Sequence, residues 1–196
     1  MAAGAAALSL MAGGAVVAQS AFTKVPAEVQ SGTYALDASH GKITYYIDHL
    51  GFSTYVGQFT EVEAQLVLNP ANSTLTASIP LAHASKDSEG LNRHLQTADF
   101  FDTANHPVAT FRSTRIVVDK DDANEADVYG ELTLRGVTKE VVMEVEFNQA
   151  GSMRGKYVAG FDGEAKIKRS DFGITYGLPA LGDEVKLRIE GEFVKQ

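Results

Sequence analysis

The sequence contains no cysteine and no tryptophan among its 196 residues. Without cysteine the chain can form no disulfide, no thiolate metal site and no cysteine nucleophile. It also lacks a phosphate-binding glycine loop, a nucleophile elbow and a helical histidine pair of the metalloprotease type. Its stability must therefore come from a packed interior, which one domain of this length can provide. We accordingly expect a protein that is not an enzyme.

Positive charge is also scarce, since 17 Lys and Arg face 25 Asp and Glu and the net charge is −8. Nucleic acids and anionic membranes attract clustered Lys and Arg, so we expect no nucleic-acid partner and no stable membrane insertion. The histidine pairs His40 and His49, and His83 and His94, lie nine and eleven residues apart. Neither spacing matches a local metal site, so no metal is expected.

The first 21 residues carry no charge and consist mostly of Ala, Gly, Leu, Val and Met. The small residues up to Ala18 suit cleavage by a signal peptidase. We therefore predict a signal peptide over residues 1–18, a mature start at Gln19, a leader over residues 19–33 and export to the periplasm. A helical or unstructured tail and a membrane anchor are the alternatives, although glycines dilute a run barely long enough to span a bilayer.

From Lys42 almost to the C-terminus, apolar side chains fall on every second residue in a series of short runs, which is typical of strands with one buried face. Weaker runs around Phe111 and Phe161 bring the number of strands to eight. Antiparallel strands must protect their edges, and eight can close into a barrel that holds one small ligand. The predicted fold is all-β, an eight-stranded antiparallel barrel over residues 34–196 with an elongated apolar cavity. The clear runs are Ile43, Tyr45 and Ile47; Val62, Ala64, Leu66 and Leu68; Leu75, Ala77, Ile79 and Leu81; Val128, Leu132 and Leu134; Val141, Met143, Val145 and Phe147; and Val185, Leu187, Ile189 and Phe193.

Two segments depart from the alternation. Over residues 86–103 the spacing of Leu91 and Leu95 predicts one helix, with Asp87 and Ser88 placed to cap its start. Residues 49–59 combine two glycines with the large apolar side chains Phe52, Tyr55, Val56 and Phe59. We expect these side chains to fold back over one end of the barrel.

Small residues recur at positions predicted to face inward. Protein interiors do not tolerate empty volume, so these residues suggest that an elongated apolar molecule fills the space between them. They are Ala64, Ala77, Gly130, Gly163, Ala165 and Gly191.

Polar candidates for the site are few. His49 follows the inward phase of the first long strand, and it is either a hydrogen-bonded core histidine or a contact for the polar end of a ligand. Arg93 and His94 on the predicted helix either approach a ligand head group or take part in exposed ion pairs. Arg169 with Asp171 beside it is expected to brace a turn. The predicted ligand-binding residues are Ile43, Tyr45, Ile47, His49, Phe52, Tyr55, Phe59, Ala64, Leu66, Ala77, Ile79, Arg93, Phe101, Phe111, Leu132, Met143, Val145, Phe161, Ala165 and Leu187.

Six motifs in order resemble the YceI-like family of periplasmic lipid-binding proteins, from about Tyr34 to Phe193. The resemblance implies a lipocalin-like barrel, often a homodimer, that encloses a long-chain isoprenoid, isoprenoid quinone or fatty-acid derivative without transforming it. It implies no required cofactor beyond that lipid. The motifs are HLGF at 49–52, GQF at 57–59, LQTADFFD at 95–102, HPVATFRST at 106–114, GELTLRGVTKEV at 130–141 and KRSDFGI at 168–174.

The sequence leaves three functions open. The first is transport or storage of a long apolar lipid. The second is an enzyme or redox accessory on the same barrel, in which His49 and Arg93 act on a bound quinone or lipid. The third is a structural protein whose cavity holds whatever lipid is available.

Overall fold

The structure is a computed structural model that describes residues 22–84 and 88–196. The predicted signal peptide, and Lys86 and Asp87 of the predicted helix, lie outside the described residues. The strands are β1 Phe22–Thr23, β2 Gly32–Leu36, β3 Lys42–His49, β4 Ser53–Phe59, β5 Glu63–Leu68, β6 Thr74–Pro80, β7 Val108–Val118, β8 Glu125–Leu134, β9 Val137–Met153, β10 Lys156–Lys168 and β11 Leu181–Lys195. The helix α1 is Glu89–Leu95, and 3₁₀ turns occupy Pro26–Glu28 and Arg169–Phe172.

The strands close into an antiparallel ring in the order β2, β5, β6, β7, β8, β9, β10, β11 and back to β2. β10 pairs with one edge of β11. β2 and β3 both pair with the other edge, one after the other along its length. In the same way β4 and β5 follow each other beside β3 and β2. The eleven segments therefore fill eight barrel positions plus the short β1, and the predicted eight-stranded barrel is confirmed.

Three hairpins turn tightly through two residues with positive φ. These are Leu50 and Gly51 after β3, Arg135 and Gly136 after β8, and Arg154 and Gly155 after β9. Such turns match the right-handed twist of the strands they join. The β3–β4 and β8–β9 turns lie at what we call the upper end of the barrel, and the β9–β10 turn lies at the lower end beside β1.

The helix is shorter than the sequence pattern predicts. Ser88 caps it as expected, because its hydroxyl accepts a hydrogen bond from the Leu91 amide. The helix ends at Leu95, where the Thr97 hydroxyl bonds to the His94 carbonyl and the chain turns back through Asp102, whose φ is 51°. Local hydrogen bonds of this kind compete with helix continuation.

Residues 49–59 form a hairpin instead of a flap, which corrects the expectation from the sequence. β4 pairs with β3 along its whole length, from Ile43 opposite Phe59 to His49 opposite Ser53. Because side chains alternate along a strand, Tyr55 and Phe59 point inward, while Val56 points outward and is exposed.

The interior consists of two packed clusters stacked along the barrel. The upper cluster includes Tyr45, Phe59 and Phe172, and the lower cluster includes Tyr34 and Phe147. Among the described residues, no helix has the length and apolar character needed to cross a membrane.

Candidate ligand cavity

The barrel encloses two adjoining apolar compartments. The upper compartment has a volume of about 410 Å³ and the lower one about 320 Å³. Their walls share five aliphatic side chains, so the compartments meet at a common waist. The shared residues are Ile43, Ile79, Leu132, Ile167 and Leu187.

The lower compartment owes its width to small side chains. Ala64 on β5 lies directly opposite Ala77 on β6, and both line the compartment. Ala165 lies between Leu187 and Met143 on the neighbouring strands and lines it as well.

Gly130 does not contribute to the free volume, contrary to the expectation from the sequence. A Cβ atom on Gly130 would lie 2.4 Å from Cζ of Phe111, because the phenyl ring already covers the glycine. Gly191 lines the lower compartment, but a Cβ there would lie 3.0 Å from both Leu36 and Phe193. Glycines at inward positions thus admit neighbouring side chains as well as a ligand.

The structure brings most of the predicted binding residues together on these walls. Those in the upper compartment alone are Tyr45, Ile47, His49, Tyr55, Phe59 and Phe101. Those in the lower compartment alone are Ala64, Leu66, Ala77, Phe111, Met143, Val145, Phe161 and Ala165. Those at the waist are Ile43, Ile79, Leu132 and Leu187.

Two predicted residues, Phe52 and Arg93, lie outside both compartments, which corrects their assignment. Phe52 is at the tip of the β3–β4 hairpin and is 90% exposed, because the turn carries it past the end of the barrel. The Arg93 guanidinium lies on the exposed side of α1, where its Nη1 is 3.5 Å from a carboxylate oxygen of Glu89 one turn earlier.

Sequence reasoning missed several residues of the upper wall. Val185 continues the alternation of Leu187 and could have been found from the strand pattern. Ile174 and Tyr176 stand in the irregular segment between Phe172 and β11, where no periodicity marks an inward face. The other missed residues of this compartment include Leu81, Leu95, Phe100, Ala109, Leu134 and Leu181.

Tyr45 is a buried side chain of the upper wall with a polar hydroxyl group. Its hydroxyl donates a hydrogen bond of 2.9 Å to the carbonyl oxygen of Ala84. Burial raises the pKa of Tyr45, and the nearby Tyr55 raises it further. The phenol therefore stays neutral, and it joins the chain before α1 to the strand beneath it.

Arg169 is 4% exposed and lies on the upper wall. Its Nε donates to the Gly182 carbonyl at 2.7 Å, Nη1 to those of Ile174 and Tyr176 at 3.1 and 2.8 Å, and Nη2 to that of Leu181 at 2.9 Å. The predicted bracing role is confirmed, although the partners are carbonyls of the irregular segment after Phe172 and of the first two residues of β11, and not Asp171.

The positive charge of Arg169 interacts with the negative charge of Asp183. Burial lowers the pKa of the guanidinium and Asp183 opposes that change. The Asp183 carboxylate itself accepts bonds from the Ser170 amide at 2.9 Å and the Ser170 hydroxyl at 2.8 Å, and the amide is the main cause that lowers its pKa. Four of the five N–H groups of an arginine are thus occupied, and the fifth has no acceptor among the described residues.

The rim of the upper compartment is aromatic and weakly polar. The His94 ring meets the rings of Phe100 and Tyr176 edge to face, with both centroid distances 5.0 Å. Its Nε2 lies 3.4 Å from a carboxylate oxygen of Asp99. His49 is exposed and lines the same compartment at the end of β3.

The histidines do not assemble into a metal centre within the described part of the chain. No group of three or more His, Asp or Glu side chains there is placed to hold a metal ion. What the site offers chemically is a long apolar interior with a few hydrogen-bonding groups near its upper end.

A model of the YceI-like domain family matches residues 34–193 of the sequence. The chain belongs to the YceI-like family. Among its relatives, protein YceI of Escherichia coli O157:H7 is 38% identical over 169 residues, which cover 82% of this chain and 84% of the relative.

Solved structures share the fold of this chain. BcnA of Burkholderia cenocepacia is 26% identical with a TM-score of 0.71, over 80% of this chain and 98% of that chain. A polyisoprenoid binding domain from Saccharophagus degradans, implicated in plant cell wall breakdown, is 14% identical with a TM-score of 0.63, over 85% of this chain and all of that chain (100%). At 14% identity, the similarity to the Saccharophagus degradans domain shows a shared fold.

Proposed function

We propose that this YceI-like protein binds a long-chain apolar lipid, such as a polyisoprenoid, an isoprenoid quinone or a fatty-acid derivative, and carries or stores it without chemical change. The observation that supports this most strongly is the pair of apolar compartments joined at an aliphatic waist. Two compartments in line suit a ligand that is long and narrow.

The affinity would come from buried area. Removing apolar surface from water contributes about 25 cal/mol per Å², so an extended hydrocarbon chain needs no charged contact to bind. The small residues Ala64, Ala77 and Ala165 leave room for that chain in the lower compartment. The pocket is therefore selective for shape and apolar character.

We place the polar end of the ligand in the upper compartment. Arg169 has one N–H without an acceptor on that wall, and His49 and His94 stand at the rim. A carbonyl or hydroxyl oxygen would accept the free N–H and satisfy a buried donor that otherwise has no partner.

The protein is proposed to act after export to the periplasm, and as a homodimer. Export is supported by the uncharged first 21 residues, and the dimer by family resemblance. Processing at Ala18 would be seen as the mass of the protein from its native host, and the dimer by light scattering.

An enzyme that uses His49 and Arg93 fits the geometry poorly. His49 stands at the rim of the upper compartment, whereas Arg93 points to solvent from α1 and pairs with Glu89. The two side chains therefore do not face one bound molecule. If His49→Ala abolished turnover of a bound quinone or lipid while the lipid stayed bound, the enzyme would replace the carrier.

The test is to purify the protein from its native source and from a foreign host, extract both with organic solvent and analyse the extracts by mass spectrometry. One class of long-chain lipid from both sources supports specific binding. Different lipids from the two hosts would indicate an unselective cavity, and no lipid with no uptake on loading would refute the proposal.

A further inference from the structure

The tip of the β3–β4 hairpin, Leu50 to Phe52, exposes apolar side chains beside the mouth of the cavity. Phe52 is 90% exposed and Leu50 is 48% exposed. His49, immediately before the tip, and Tyr55, three residues after Phe52, both line the upper compartment. We infer that this tip docks the protein on the surface of a neutral lipid bilayer, where the cavity takes up or releases its lipid.

The choice of residue in the turn points to a role outside the folded monomer. Leu50 has a φ of 60°, a conformation that Asn or Asp adopts more readily than leucine. In the two other turns of this type the same position holds an arginine, Arg135 or Arg154. Because Leu50 is half-exposed in the monomer, burial of its side chain does not offset the cost of its disfavoured backbone conformation.

The charge pattern favours a bilayer without net charge. The eleven residues from Leu50 to Thr60 contain no charged side chain, while the whole chain carries a net charge of −8. The nearest charge is negative, since the exposed Asp48 carboxylate accepts a hydrogen bond of 2.9 Å from the Gly51 amide. An anionic membrane would repel the protein, and no cluster of Lys or Arg lies in this segment to offset the repulsion. Apolar side chains alone can settle at the boundary between head groups and acyl chains.

The size of the tip argues against a second protein molecule as its partner. A phenylalanine buries about 150–250 Å², and the addition of one leucine leaves the tip well below the roughly 800 Å² per partner of a stable protein interface. Binding to a bilayer requires no such minimum area, because lipid surrounds an inserted side chain on all sides.

Because the position of the tip matters only if the cavity carries lipid, this inference rests on the proposed function. The test is flotation of the full chain with phosphatidylcholine vesicles. The variants are Phe52→Ser, and Leu50→Asn, which suits the positive φ and should keep the fold. Met153→Ser is the matched control, since Met153 is 45% exposed beside the turn at the opposite end of the barrel.

We expect Phe52→Ser to lower the vesicle-bound fraction about tenfold, and Leu50→Asn to lower it without loss of thermal stability. Met153→Ser should bind vesicles like the parent. Added salt should not weaken binding to phosphatidylcholine, and vesicles with added phosphatidylglycerol should bind less protein.

A second measurement separates the two hypotheses, namely uptake of a polyprenol, a quinone and a fatty acid, each from ethanol solution without vesicles. If the parent takes up no lipid, the proposed function fails. If it takes up lipid but Phe52→Ser floats as well as the parent, or the parent does not float, the docking inference alone is overturned. Loss of self-association in Phe52→Ser with flotation unchanged would assign the tip to a contact between two copies and overturns it as well.

Discussion

The ring of Tyr45 lies directly over Gly57 on the neighbouring strand. A Cβ atom on Gly57 would be 2.2 Å from both Cζ and the hydroxyl oxygen of Tyr45. The two residues are cross-strand partners, and the glycine lets the ring bend across β4 so that its hydroxyl reaches the Ala84 carbonyl. The absence of one side chain thus positions a buried hydroxyl group of the upper wall.

Gly57→Ala should therefore lower the free energy of unfolding by about 1–3 kcal/mol, because the methyl group overpacks the site and displaces the Tyr45 ring. Chemical denaturation measures the change. Gly90→Ala is the control, since a Cβ there meets nothing closer than the Ser88 hydroxyl oxygen at 3.9 Å. A helical alanine at position 90 should be neutral or stabilising. Equal effects of the two substitutions would contradict the packing of Tyr45 over Gly57.

Arg169→Met should lower the free energy of unfolding by about 3 kcal/mol or more, because it leaves the carbonyls of Ile174, Tyr176, Leu181 and Gly182 without their donor. Hydrogen exchange should accelerate in residues 174–182. Arg188→Met removes an exposed arginine with two ion pairs to Asp162 and Glu190 and should cost less than about 1 kcal/mol. Comparable losses for the two arginines would refute the bracing role.

Ala165→Phe should fill part of the lower compartment and reduce uptake of long-chain lipid at least about tenfold, while the barrel stays folded. The measurement is saturation binding of a fluorescent fatty acid or polyprenol, with circular dichroism to check the fold. Lys166→Phe is the matched control, because that neighbouring side chain points outward and is exposed. If both variants bound lipid as the parent does, the ligand would not occupy this compartment.

Tyr34 and Tyr45 should titrate above the ordinary tyrosine value of 10.0 in an alkaline titration. Burial raises the pKa of Tyr34 from 10.0 to about 12, with a smaller contribution from Tyr157, and burial also raises the pKa of Tyr45. Above pH 10 the unfolded chain loses these protons while the folded one retains them, so stability should fall between pH 10 and about 12.

Phenolate absorbance against pH, compared with Tyr34→Phe, checks this assignment. The substitution should remove one late-titrating group and flatten the loss of stability over that range. A titration in which every tyrosine ionises together near pH 10 would contradict the burial of both residues.

The sequence predicted the barrel because strand alternation reports directly which face is buried. It located Ala64, Ala77 and Ala165 on the inner face, and the structure places all three on the lower wall. Alternation does not report where a strand is interrupted, so β2 with β3, and β4 with β5, could not be recognised as two barrel positions each filled by two segments.

Contacts between distant segments also escaped prediction. The four carbonyls that Arg169 binds belong to Ile174 and Tyr176 in irregular chain and to Leu181 and Gly182 at the start of β11, and no periodicity in the sequence relates them to the arginine. The sequence predicted free volume at Gly130, yet the Phe111 ring of the adjacent strand covers this glycine. Phe52 lies in the same apolar segment as Tyr55, and the position of the turn shows that it projects into solvent.

Native mass spectrometry of the protein, purified from its own host without added lipid, shows directly whether the barrel holds a lipid. A long-chain lipid bound at one molecule per polypeptide, and lost in Ala165→Phe, is the result that a lipid held inside the two compartments predicts. A parent protein with the mass of the bare polypeptide, which also takes up no polyprenol, quinone or fatty acid on loading, would contradict it.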